Sequence, residues 1–98
     1  MTSTQFDRRY ASELLEAIDF TDKVVLDVGF GNGWLIDAIW QRVKHLTAIE
    51  TSPEFISAAR ERWLGTPVAD RVTLIQGAVQ ELTLPKDHFD IIIFSHSF

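Results

Sequence analysis

An α/β fold built on a parallel, doubly wound sheet is predicted by three observations. Short apolar runs alternate along the chain with segments of helical period. The run Val24–Val28 empties into three glycines at alternate positions, Gly29, Gly31 and Gly33. An acidic residue, Glu50, closes the next apolar run about 20 residues further on, the spacing at which a second strand tip meets the ligand crevice of such sheets. Strands alternating with helices join through right-handed crossovers, which makes the sheet parallel.

Each element has its own local reason. Thr4 to Ile18 places Phe6, Tyr10, Leu14, Leu15 and Ile18 at helical spacing, so residues 1–20 are expected to form an N-terminal helix. Thr21-Asp22 reads as a turn. Lys23 to Val28 is a continuous apolar run, as a strand covered on both faces requires. Gly33 to Val43 reads as a helix with Leu35, Ile36, Ile39 and Trp40 on one side, and His45 to Ile49 as the second strand. Ser52-Pro53 is a helix start, because serine caps and proline suits the first helical position. That helix is expected to run to about Leu64, with Gly65 as its stop. Val72 to Gln76 is the third strand. Gly77 to His88 is a loop with a helical turn around Gln80 to Leu82, and Phe89 to Ser95 is the fourth strand.

Composition bounds the function. The chain has 98 residues, enough for one domain, with 46% hydrophobic and 23% charged residues. It has no cysteine, so neither a disulfide framework nor a thiolate metal site is expected; this is compatible with a cytoplasmic location. The polar N-terminal segment lacks the apolar core of a signal peptide, and no stretch reaches membrane-spanning length. A net charge of -5 with scattered basic residues makes nucleic acid an unlikely partner and favours a small-molecule substrate.

Glycine at a strand's end lets backbone lie directly against a ligand, while the next helix points free N–H groups into the same space. Glu50 at the neighbouring tip can accept hydrogen bonds from both ribose hydroxyls. The dinucleotide pattern G-x-G-x-x-G fits poorly, since the third glycine falls one position early and Trp34 stands where it belongs. Asp27 would repel a pyrophosphate but welcome an ammonium group. A ribose-bearing cofactor with a cationic amino-acid end is therefore favoured over NAD.

At this point VVLDVGFGNGW resembles the first motif of the class I S-adenosylmethionine-dependent methyltransferases, a hydrophobic strand followed by D-x-G-x-G-x-G. IETSPEF resembles the second, and IQGAVQELTLPKDHFDIIIFSHSF the third-strand loop and fourth strand. The resemblance implies a Rossmann-like fold whose first four strands, in the order 3-2-1-4, are present. Residues 1–98 would then be a single, truncated cofactor-binding domain with a βαβαββ core over 23–98. It implies S-adenosyl-L-methionine as cofactor and no metal. By the same resemblance, Asp27 lies near the methionine end, Gly29, Phe30, Gly31 and Gly33 line the methionine and ribose portion, and Glu50 takes the ribose hydroxyls. Thr51 and Ser52 fall at the adenine rim, Ala78 and Val79 at the adenine edge, and Ser95 and His96 near the transferable methyl, with His96 the candidate base. Ala78 stands where the family often has an aspartate, a loss that Gln80 or Glu81 would offset. The family's usual order, 3-2-1-4-5-7-6, would leave the fourth strand a bare edge, so a homodimer or a completing chain is expected there. An NAD(P)-dependent oxidoreductase half and a non-catalytic partner-binding module are the alternatives.

Overall fold

The computed structural model describes residues 2–7, 11–84 and 87–96. In chain order its principal elements are β1 (Thr2–Asp7), α1 (Ala11–Ala17), β2 (Val24–Val28), α2 (Trp34–Ile39), β3 (His45–Glu50), α3 (Pro53–Trp63), β4 (Val72–Gln76) and β5 (Ile91–His96). Short 3₁₀ turns at Pro67–Asp70 and Val79–Glu81 flank β4. The sheet runs β1-β5-β2-β3-β4, and every pairing in it is parallel. The four strands expected from sequence are β2 to β5, standing in the predicted 3-2-1-4 order. Because all are parallel, the turns leaving β2, β3 and β4 gather at one end of the sheet. Val28 lies beside Ile49, and Glu50 beside Gln76.

The N-terminus departs from expectation. Residues 2–7 form a strand, and the helix starts only at Ala11. β1 pairs with β5 over Thr2↔Ile91 to Asp7↔His96. The helical spacing survives where packing uses it, since Leu14 is fully buried and Leu15 and Ile18 pack on the core. Upstream, an unpaired β5 would leave a row of backbone N–H and C=O groups without partners. A segment with two threonines and a phenylalanine suits that edge. The bare fourth strand expected from sequence is thus flanked on both sides, by β1 and β2, and the reason given for a homodimer or completing chain there is removed.

Alternate strand residues sort into two clusters, the signature of a sheet covered on both faces. Val25, Leu46, Ala48, Ile91 and Ile93 belong to the larger cluster, to which α1, α2 and α3 all contribute. Leu26, Ile49 and Ile92 face the other way, packed with Val79, Leu82, Leu84 and Phe89 from the segment leading into β5. The start of β2 is clamped to that segment: Val24 N–H donates to the Asp90 carboxylate at 2.9 Å, and Asp90 N–H donates to Val24 O at 2.8 Å.

Local chemistry sets the helix ends. Ser52 Oγ accepts from Phe55 N–H at 3.4 Å, the expected cap of α3, and Gly65 takes φ +75° just beyond its end. α2 stops at Ile39, short of the expected Val43, because Arg42 and Val43 N–H both donate to Ile39 O and tighten the last turn. Arg62 donates to Asp37 at 2.6 Å, linking α3 to α2, while its guanidinium lies 5.2 Å from the centre of the Trp63 ring.

Candidate functional site

The strand order β2-β3-β4 arranges three turns side by side. Gly29 and Gly31 follow β2, Glu50 and Thr51 end β3, and Gly77–Gln80 follow β4. Together with Phe55 on α3 they line a cleft of about 330 Å³. Glycine is required along its β2 side, where φ is +74° at Gly29 and +55° at Gly31. Gly29 N–H donates to Ile49 O at 2.8 Å, tying the turn to β3.

Glu50 is the organising group. Its Oε1 accepts from Gly31 N–H at 2.8 Å and its Oε2 from Ser52 N–H at 3.0 Å. The side chain is only 8% exposed, yet it borders the cleft. The Thr51 hydroxyl adds a long third contact to Oε2 at 3.4 Å; since a carboxylate offers roughly four acceptor positions, the two backbone donors orient it and acceptor capacity remains. On the other side, Gly77 N–H donates to Glu50 O at 2.9 Å and anchors the β4 turn against the same residue.

Asp27 lies beneath this arrangement. It is fully buried, and Ser95 Oγ donates to its Oδ1, joining the tips of β2 and β5. Its Oδ2 is buried with no hydrogen-bond partner among the described residues. Burial pushes the Asp27 carboxyl up to about 7; the Ser95 hydroxyl opposes this, and the charge of Glu50 adds to it. The orphan oxygen is what an ammonium group, reaching it directly or through water, would satisfy.

The sequence-predicted residues divide accordingly. Gly29, Gly31, Glu50, Thr51, Ala78 and Val79 border the cleft together. Ser52 contributes its backbone N–H to Glu50 and its hydroxyl to the helix cap. Asp27 and Ser95 are fully buried under the strand tips, outside the lining. Phe30 does not face the cleft: its side chain is fully buried in the larger core cluster, drawn there by its apolar surface. Gly33 also stands apart. It has φ +85°, and a Cβ there would come within 2.5 Å of the Trp63 ring, so packing requires this glycine. Trp34 and Trp40 pack against the same core. His96 ends β5, and its side chain lies outside the described residues, as does Tyr10.

Sequence reasoning missed Val28, Ile49, Phe55 and Gly77 as lining residues; of the two side chains it offered at the adenine edge, Gln80 lines the cleft and Glu81 is not among the lining residues. Phe55 had a usable signal. Ile56, Ala59 and Trp63 form the buried stripe of α3, and an aromatic one position off that stripe is 38% exposed at the cleft.

The chain resembles known proteins of one family. The profile of a family described as "Methyltransferase domain" matches residues 25–98. The chain is 41% identical over 86 residues to the probable histone-arginine methyltransferase 1.3 of Arabidopsis thaliana, covering 86% of this chain and 16% of that protein. It is 41% identical over 88 residues to protein arginine N-methyltransferase 1 of Chlamydomonas reinhardtii, covering 88% of this chain and 25% of that one. The chain thus spans a quarter or less of the length of these curated relatives. Among solved structures, a candidate S-adenosylmethionine-dependent methyltransferase from Listeria monocytogenes superimposes with a TM-score of 0.66 at 30% identity, over 86% of this chain and 38% of that one.

Proposed function

This chain belongs to the methyltransferase-domain family, and we propose that its cleft holds S-adenosylmethionine as part of an enzyme that transfers a methyl group. The observation that carries this reading is the Glu50 carboxylate, held 2.8 Å from Gly31 N–H across a side-chain-free turn. The residues present fit the cofactor. Glu50 accepts ligand hydroxyls once the long, rotatable Thr51 hydroxyl contact gives way, the glycine turn admits a close approach, and the buried Asp27 Oδ2, without a hydrogen-bond partner among the described residues, gains one from a cationic end. When bound, S-adenosylmethionine carries a methyl group on a sulfonium that needs no further activation.

The chain's own residues bind and orient. Gly31 and Ser52 N–H groups lock the Glu50 carboxylate, so its hydroxyl-binding geometry costs no reorganisation. Gly29 and Gly31 keep the β2 side of the cleft open. Ser95 holds Asp27 beneath the turn, and His96, at the tip of β5, is the proposed base or acceptor contact. The buried carboxyl of Asp27, whose Oδ2 has no hydrogen-bond partner among the described residues, also disfavours the pyrophosphate of a dinucleotide, so the oxidoreductase alternative is set aside.

For the acceptor, the acidic charge and scattered basic residues favour a small molecule. The names of the two relatives favour a second reading, an arginine of a protein. Methylation assays offering each class to the full-length protein separate them. No helix among the described residues is long and apolar enough to cross a membrane. A cytoplasmic location belongs to the proposal and is compatible with a sequence that has no cysteine.

Calorimetry with S-adenosylhomocysteine tests the cleft. Glu50→Gln keeps the volume but turns an amide toward one of the two N–H donors. It is expected to weaken binding about ten- to a hundredfold. No binding by the folded wild type, or an unchanged affinity in the variant, rejects the assignment.

A further inference from the structure

β4 ends the sheet, with β3 as its one strand neighbour among the described residues. Backbone groups alternate in direction along a strand, so every second residue of β4 faces away from β3. Arg71 O accepts from Leu46 N–H at 2.9 Å, and Gly77 N–H donates to Glu50 O at 2.9 Å. Odd-numbered residues therefore serve the β3 ladder, while Val72, Leu74 and Gln76 turn their N–H and C=O groups outward. Sheet edges are commonly protected by a charge, a proline or a bulge. β4, with the sequence VTLIQ and an unbroken register against β3, has none of these.

Beside this edge an apolar groove of about 350 Å³ runs between α3 and β4. Ala59, Trp63 and Leu64 line it from α3, Val72 and Leu74 from β4, and Val68 from the 3₁₀ turn between them. Leu64 is 83% exposed, the most exposed large apolar side chain among the described residues. An apolar knob beside an apolar hole on one surface is what a two-fold contact uses twice, since each copy offers its knob to the hole of the other.

We propose that a second copy of this chain docks here, its β4 joining β4 antiparallel about a two-fold axis normal to the sheet. In that register Leu74 of the two copies pair on the axis, and Val72 of each pairs with Gln76 of the other. The outward N–H and C=O groups of both strands are then satisfied. An axis normal to the sheet keeps the helical faces of both copies on the same side. α3 of one copy therefore lies along the groove of the other, with Leu64 over it. Charge does not oppose the pairing. β4 carries none, and the groove's rim carries both signs, Arg60 in the lining and Glu61 and Asp70 next to lining residues in the chain. The surface lies at the opposite edge of the sheet from β1, and the inference does not depend on the cofactor reading.

Sedimentation equilibrium and hydrogen exchange on the full-length protein test it. Wild type is expected to shift reversibly to a dimer mass as concentration rises, with the amides of Val72, Leu74 and Gln76 gaining protection in step. Leu64→Lys sets a charge over the apolar groove, and Gln76→Pro deletes an outward donor without touching the β3 ladder. Each change occurs twice per dimer, so each variant is expected to weaken association about tenfold or more, with circular dichroism confirming the fold. If one variant fails to fold, the other carries the test. A wild type that stays monomeric at every concentration overturns the proposal, as does a dimer that neither substitution weakens. Protection of the three amides that is independent of concentration also overturns it, because a segment of the same polypeptide then covers β4.

Discussion

Gly33 and Phe30 show how little a motif says about the work of each letter in it. Among the three alternating glycines, Gly29 and Gly31 border the cleft, whereas Gly33 accommodates the Trp63 ring. Gly33→Ala would combine a positive φ with a clash against an aromatic ring fixed in the core. It is expected to destabilise the fold by about 2–4 kcal/mol, read from urea denaturation. A cost below about 1 kcal/mol would mean that Trp63 yields, and that the tight contact is not what requires glycine. Phe30, at 0% exposure, belongs to the core for the same reason as any large apolar side chain, whatever its place in the motif.

At the scale of elements, the strands and α3 were legible and the N-terminus was not. Strands β2 to β5 are continuous apolar runs bounded by turn residues, so period and punctuation agree. α3 has a serine cap, a proline start and a glycine stop, three signals with one meaning. Residues 2–7 hold only Phe6 of the helical period read over Thr4 to Ile18, so helix and strand were both open to them. The free edge of β5, far along the chain, decided between them. Removing residues 1–7 should therefore strip hydrogen-exchange protection from amides of β5 and leave those of β3 unchanged. It should also promote self-association, visible by light scattering, because the uncovered edge is apolar and unpaired. Unchanged exchange in β5 would show that β1 does not hold that edge in solution.

For the molecule as a whole, Asp27 couples folding to pH. Its carboxyl rises from 3.8 to about 7 on folding because burial disfavours the charge. Between those values the folded state keeps a proton that the unfolded state releases. Stability from this group is therefore complete below about pH 4, is lost progressively up to about pH 7, and is level above that. Asp27→Asn keeps an acceptor for Ser95 and removes the titration. It is expected to flatten the dependence of melting temperature on pH and to raise stability at pH 8. A variant less stable than wild type at pH 8 would show that the carboxylate form is satisfied in the fold. The sequence alone determined the alternation of strand and helix, the parallel sheet, and the pairing of a glycine turn with Glu50, which follow from local period and from a spacing of about 20 residues. The 3-2-1-4 order of the four strands came with the family resemblance and not from any local pattern. Only the tertiary structure decided that β1 covers β5, that Phe30 and Gly33 serve the core, and that Phe55 and Gln80 reach the cleft. Those outcomes depend on which surfaces meet when distant segments pack, and no local pattern carries that information.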